Sequence, residues 1–402
     1  MALMPVTEAL AKVLAGVEPL PAESVPLTDA HGRVLAADLK ALRTQPPADV
    51  SAMDGYAVRG ADVANTPARL TVIGEVAAGR PFSGEVGPGQ AARIFTGGVV
   101  PRGADTVVIQ ELTERTGDVV IVTSATARGR NVRAEGLDFM RGETLLRRGE
   151  RLTSRSLALA AAMNHPQVPV HRRPKVALLA TGDELVTPGT AAGPGQIVSS
   201  NGFALASLIR HEGAEATDLG IVGDELDTTV AAIERARTWG ADVLVTAGGA
   251  SVGEHDLVQQ ALSRVGLQLA FWKVALRPGK PLLHGRIADM RVLGVPGNPV
   301  SAFVCAFLFL VPLIRRLSGR SDLEPRPESA ILGADLPEND ERRDYLRATL
   351  DVRDGQVVAT PFRLQDSSMM APLAKADCLL IRDPFAAAAP AGSPCTVLKL
   401  GL

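Results

Sequence analysis

From Ala241 to Leu317 the chain reads as strand, glycine-rich loop, helix, strand, basic loop, strand, proline turn and helix. The opening run, ADVLVTA, is β-branched and ends in Gly248, Gly249 and Gly253, with Ser251 among them and Glu254 and Asp256 just beyond. A hydrophobic strand feeding such a loop brings bare backbone N–H groups together, a setting that suits an anion. FWKVALRPGKP then places Lys273, Arg277 and Lys280 around a Pro-Gly turn, and VLGVPGNPVSAF closes another strand with Pro296, Gly297, Asn298 and Pro299. In an open parallel sheet, ligands bind beyond the carboxyl ends of the strands. The spacing therefore predicts that glycine amides, cations and proline turns share one rim.

The same alternation begins at Lys175, after the Arg172-Arg173-Pro174 boundary, where the residue before proline is pushed out of the helical region. KVALLAT is a buried-type strand followed by GDEL; FALASLIRHEG is helical; ATDLGIV is a strand with Asp224 just after it; and Leu226 to Thr238 is helical. Strands alternating with helices imply a doubly wound sheet with right-handed crossovers. Asp183, Glu184 and Asp224 are then expected on the rim with the glycine and cation loops. Glu184, Asp224 and Asp256 come from three strand-end loops and have no histidine or cysteine at ligand spacing. Oxygen-only donors favour a hard cation such as Mg²⁺ over Zn²⁺. His255 reads as a solvent-facing loop residue. Neither GxxxxGK[ST] nor GxGxxG is present. Spacing alone thus points to an anionic, phosphate-containing ligand and leaves the reaction open.

A chain of 402 residues is too long for one ordinary core. Residues 43–140 are short β-branched runs between Gly, Pro and Asp turns, the pattern of an inserted all-β domain. It carries Met53, Asp54, Gly55 and Tyr56 in an irregular stretch, Thr96 after a strand, and Arg133 and Asp138 in NVRAEGLD. Taken alone, Asp54-Gly55 reads as a turn and Arg133 with Asp138 as an exposed charge pair. The helical segment Thr7 to Leu14, with Thr7 as its cap, and the segment Leu27 to Ala41 are too short to fold by themselves. Packed on the helix-like run Leu152 to Met163, they predict a discontinuous domain of residues 1–42 and 141–171. Residues 172–322 form the α/β domain, and after the linker LEPRPE residues 323–402 read as a small β-barrel, with the polar stretch Gln365 to Met370 as an ordinary loop or a ligand contact.

A net charge of −2 and 3% aromatic residues argue against nucleic acid as a partner. Cys305, Cys378 and Cys395 are widely separated without a CxxC, which reads as reduced thiols in the cytoplasm. The N-terminus lacks the basic and apolar regions of a signal peptide. Val300 to Leu317 is about a turn short of the ~20 residues of a bilayer span and is interrupted by Pro312 and Arg315, so a buried helix is expected and no membrane.

SAMDGYA, FTGGVVPRGAD, TGDEL, TAGGASVGEHD, RPGKP and GVPGNPVSAF, in this order along the chain, resemble the molybdopterin molybdenumtransferases, the family of MoeA and the gephyrin E domain. Lys175 to Ser318 is also similar to the adenylyltransferase domain MogA. The resemblance implies a multidomain α/β plus β homodimer with four parts: a discontinuous elongated dimerisation domain, an inserted β domain, a MogA-like molybdopterin-binding domain and a C-terminal β-barrel. Its cleft would lie between the α/β domain of one subunit and the insert of the other. It further implies insertion of molybdate into adenylylated molybdopterin, hydrolysis of the adenylate with release of AMP, and a need for Mg²⁺ (or Zn²⁺). The adenylyltransferase and molybdoenzyme-maturation proteins are the partners it suggests.

Carried over by motif, Asp54, Thr96, Arg133, Asp138, Glu184, Asp224, Asp256, Lys273 and Arg277 fall on functional positions, with Lys280 and Ser367 as adjuncts. In this reading Glu184, Asp224 and Asp256 hold a cation on the pyrophosphate-like linkage. Lys273, Arg277 and Lys280 bind phosphate or molybdate beside Gly248, Gly249, Ser251, Gly253, Pro296 and Pro299, while Asp54 of a partner subunit acts near the cleaved bond. Arg277 stands where the family often has lysine, and Leu137 precedes Asp138 where an acid is usual. The alternatives are an adenylyltransferase, which needs neither insert nor barrel, and a non-catalytic scaffold like gephyrin's anchoring role.

Overall fold

The computed structural model describes residues 3–248 and 257–401. At its centre is a six-stranded sheet in the order Glu215–Val222, Lys175–Thr181, Val243–Ala247, Met290–Val295, Pro281–Ile287, Gln268–Lys273. The first four strands are parallel and the last two antiparallel. Strands buried on both faces need helices above and below, and they have them. Asn201–His211 and the helical run from Pro299 to Leu317 cover one face, while Leu226–Trp239 and Leu257–Arg264 cover the other. The run from Pro299 to Leu317 contains a π-helical segment, Ala306–Leu310. It is long and apolar enough to cross a bilayer, yet most of it is buried inside the protein, as expected of a core helix.

Segments on either side of the insert pair and share a core. Ala22–Pro26 pairs with Gln167–His171 and Leu39–Lys40 with Thr144–Leu146. Leu35, Phe139, Leu152, Met163 and Val170 fill the space between. Its helix, Ser154–Ala162, starts in a capping box in which the Thr153 hydroxyl accepts from the Ser156 N–H.

The N-terminal helix is placed differently from expectation. Val6–Leu14 lies on the α/β domain, where Val6, Ala9, Val13 and Val17 share a core with Ile314 and Leu317. Arg291 fastens the following turn by donating to the carbonyls of Ala15 and Gly16 at 3.3 and 2.9 Å. The cause is available apolar area: nearly every residue of Pro299–Leu317 is buried, whereas Ser154–Ala162 buries only Ala160. Pro5, not Thr7, precedes the first turn, and no side chain caps it.

The insert is a six-stranded sheet in the order Thr106–Ile109, Gly55–Val58, Gln90–Ile94, Ala68–Val76, Val119–Val122, Thr113–Thr116. Its two connections to the rest of the chain run side by side, with Gln45 N–H donating to the Phe139 carbonyl at 2.9 Å and Asp138 N–H to Gln45 at 3.0 Å. The C-terminal domain closes as a five-stranded barrel, because Arg343–Arg353, already paired with Gln356–Pro361, also pairs with Cys378–Arg382 at the far end of the strand order. A sixth, short strand, Leu276–Arg277 from the α/β domain, joins it in parallel.

Candidate active site

The register of the sheet brings the strand ends together. Ala180 pairs with Ala247 and Ala247 with Val295, so Thr181, Gly248 and Pro296 follow at one level. Val222 pairs with Thr181, which puts Asp224 two residues past the same edge. Pro281 begins the antiparallel strand there, so Lys280 arrives at the rim as well. The sheet order reverses between Lys175–Thr181 and Val243–Ala247, the topological switch point at which such sheets bind ligands.

A cleft of about 1050 Å³ opens at this point. Glu184, Asp224, Gly248, Arg277 and Lys280 line it from the α/β domain, with Pro296 and Pro299 behind them, and Ser367 faces them from the barrel. Two glycines are required by close approach. A Cβ at Gly248, whose φ is +100°, would lie 2.5 Å from the Thr181 carbonyl oxygen, and one at Gly279 would lie 2.5 Å from Cys305 Sγ. Asp183 has a local task, its carboxylate accepting from the Asp224 N–H at 2.9 Å and tying two acidic loops together. Among the described residues neither Glu184 nor Asp224 has an ion-pair partner, and both are exposed to the cleft. Lys280 is likewise unpaired and exposed. Uncommitted charges of both signs face one another across one opening.

The barrel side is held by the proline turn. Asn298 Nδ2 donates to Ser367 Oγ at 2.9 Å, and Val300 N–H donates to the Ser367 carbonyl at 3.0 Å. Arg277 also lines the cleft, but its guanidinium donates to Asp340 and Asn339, each at 2.9 Å, and to Asp344. Lys273 does not line the cleft; it ends the outer strand opposite Pro281, with its side chain exposed. Gly249, Ser251, Gly253, His255 and Asp256 lie outside the described residues.

The insert residues form a separate group. Asp54 precedes Gly55–Val58 and Thr96 follows Gln90–Ile94, and because Gly55 pairs with Ile94 the two side chains meet. Asp54 Oδ1 accepts from Thr96 N–H at 2.7 Å and from Thr96 Oγ1 at 2.8 Å. These donors, with Arg93 nearby, hold its carboxyl below the usual range. Val132–Arg133 pairs with Val50–Ser51 and brings Arg133 to the same end of the insert, while Asp138 sits at its neck. None of these four lines the cleft of its own chain.

Two residues escaped the sequence reading. Thr181 lines the cleft, is 4% exposed, and among the described residues its hydroxyl has no hydrogen-bond partner. Arg347 is 1% exposed in the barrel and gives its protons to Gln365 Oε1 and the Met369 carbonyl, shaping the loop that carries Ser367. Its signal was the phase of its strand: Arg347 shares with buried Tyr345 the side that packs against the α/β domain, whereas Leu346 and Ala348 face the barrel core.

These features define a multidomain α/β plus β protein with a cleft lined by charges of both signs at a sheet switch point. Three family models match in order: MoeA N-terminal region (domain I and II) over residues 4–164, probable molybdopterin binding domain over 177–316, and MoeA C-terminal region (domain IV) over 329–400. The molybdopterin molybdenumtransferase of Haemophilus influenzae is 34% identical over 382 residues, 94% of either chain. Molybdopterin molybdenumtransferase 2 of Mycobacterium tuberculosis is 36% identical over 345 residues, 84% of this chain and 85% of its own. A solved molybdopterin biosynthesis MoeA protein from Pyrococcus horikoshii OT3 superposes with a TM-score of 0.85 at 29% identity, over 99% of this chain and 100% of that one. The chain belongs to the molybdopterin molybdenumtransferase family.

Proposed function

We propose that this transferase of molybdenum cofactor biosynthesis takes adenylylated molybdopterin and molybdate as substrates. It inserts the metal as the adenylate is hydrolysed to AMP. The observation that carries this reading is the set of unpaired charges, Glu184 and Asp224 against Lys280, around one opening at the switch point. A pyrophosphate-linked substrate presents phosphate oxygens to Lys280 and to the backbone at Gly248.

The donor set fits Mg²⁺, which is commonly held by one or two carboxylates plus substrate phosphate rather than by a complete protein cage. Glu184 and Asp224 would hold it, and the ion would neutralise charge on the phosphates.

Asp54 is an ionised carboxylate that lies away from the cleft of its own chain. In a homodimer the partner's insert closes the cleft, and Asp54 accepts a proton from the water whose oxygen bonds to phosphorus as the P–O bond to AMP breaks. The experiment is conversion of adenylylated molybdopterin and molybdate to active cofactor by wild type, Glu184→Ala and Asp256→Ala proteins. Wild type is expected to form cofactor and AMP, and the folded variants to fail. Adenylate accumulation from ATP and molybdopterin, or undiminished conversion by both variants, contradicts the reading.

A further inference from the structure

We propose that Arg277 is a clamp rather than an anion ligand, and that Asp344, acting through it, is the residue that positions the cation loop of the cleft. This inference rests on the proposed substrate reading only for its kinetic readout. The geometry points to the clamp by itself. Leu276 and Arg277 form a strand alongside Arg343 and Asp344, so the α/β domain contributes a strand to the barrel. At that join the guanidinium spends its fork on three acceptors: Asp340 Oδ2, Asn339 Oδ1 and Asp344 Oδ2.

Each acceptor is itself fixed. Asp344 is 4% exposed. Asn339 is oriented by donating to the carbonyls of Arg342, Arg382 and Asp383 at 2.8, 3.2 and 2.9 Å. Asp340 accepts also from Arg342, through its backbone N–H at 2.9 Å and its guanidinium at 3.0 Å. Two arginines and two aspartates thus balance in charge at the join, leaving no net positive charge there for an incoming oxyanion.

Arginine at this position has a physical reason. A planar guanidinium reaches several fixed acceptors at once, whereas an ammonium is a point charge on a flexible stem. Asp344 has little access to water, its second oxygen has no hydrogen-bond partner, and burial pushes its carboxyl up while Arg277 draws it back. Removing Arg277 strands that carboxylate. The loop beyond the clamp is fixed at two further points, with Val274 N–H donating to the Lys280 carbonyl at 3.1 Å and Cys305 Sγ lying 3.7 Å from the Gly279 carbonyl. Lys280 is the loop cation left facing the cleft, and the barrel sets its place.

The test compares Asp344→Asn, Arg277→Lys and the double variant in molybdate-dependent turnover. The clamp predicts that each single change raises the KM for adenylylated molybdopterin about tenfold with kcat changed less than threefold, and that the double variant is no worse than either single one. An anion ligand predicts opposite signs: Asp344→Asn would free Arg277 and leave KM unchanged or lower, while Arg277→Lys raised it. That result, or an unchanged KM in both, overturns the clamp. Hydrogen exchange supplies a readout independent of substrate. Asp340→Asn, at a half-exposed position, should speed exchange of the Leu276 and Gly279 amides but not of those in Met290–Val295; equal exchange overturns the clamp even if the variants at Asp344 fail to fold. Wild type that shows no molybdate-dependent turnover would refute the substrate reading and leave the exchange result to judge the clamp.

Discussion

The α/β rim and the far end of the insert both gather residues of the proposed site, but they treat charge in opposite ways. On the rim Glu184, Asp224 and Lys280 have no ion-pair partner among the described residues, so their fields remain available to a bound ion and substrate. On the insert Asp54 is already satisfied by two donors from Thr96 and stays ionised. The rim is a receptor awaiting charge, and the insert presents a single prepared carboxylate. On the proposed reading, the cleft of one chain works with the carboxylate of another.

The largest expected effect breaks the rim. Glu184→Ala and Lys280→Ala should each lower cofactor formation by about 10²-fold or more with the fold intact, the scale set by removing one preorganised electrostatic partner. Circular dichroism and molybdate-dependent turnover check this; loss of less than threefold from either residue would place the receptor elsewhere. Next is Thr181→Val. The hydroxyl is buried and unpartnered, and replacing it by a methyl leaves the free protein as stable or more so. If the substrate satisfies that hydroxyl in the complex, KM rises about fivefold to twentyfold and Thr181→Ser retains affinity. A melting temperature that falls while KM is unchanged would make Thr181 structural instead.

Smaller shifts sharpen the contrast in pH. Thr96 holds the Asp54 carboxyl low, so Asp54 remains charged as pH falls through the ordinary carboxylate range. Thr96→Val keeps the backbone donor and loses the hydroxyl, so the acid limb of kcat/KM should move to higher pH; an unmoved limb contradicts the pairing. His284 gives the α/β domain a different acid sensitivity. It is buried beside Phe271, and desolvation lowers its pKa from 6.5 to about 4. The unfolded chain takes up that proton first, so the stabilisation is complete above about pH 6.5 and is lost as pH falls toward 4. Between pH 7.5 and 5 the loss is about 2 kcal/mol. Urea unfolding of wild type and His284→Gln should show that slope in the first and not in the second. The insert has no histidine and should lack it.

Much of the rim was legible because a parallel sheet sends every strand-end loop to one edge, and Glu184, Asp224 and Pro296 follow from that rule alone, whereas Lys280 reaches the same edge only because its strand runs antiparallel. The insert pair was recognisable as motif, although Asp54-Gly55 by itself reads as a turn. Arg277 was not legible: a cation in a Pro-Gly loop looks available, and its partners Asp340 and Asp344 lie 63 and 67 residues away. The N-terminal helix showed its apolar face but not its neighbour, because periodicity says which side is buried and not against what. Thr181 and Arg347 were hidden by their ordinary setting in strands, where only the missing partner or the side facing the α/β domain sets them apart.

The account depends on Asp54 and the α/β rim coming from different copies of the chain. The direct measurement mixes two inactive variants, Asp54→Ala and Lys280→Ala, allows subunit exchange, and assays cofactor formation. A shared site predicts recovery to about a quarter of wild-type activity, since half of the mixed dimers are heterodimers and each restores one of two clefts. A mixture as inactive as its components, with exchange confirmed, contradicts it.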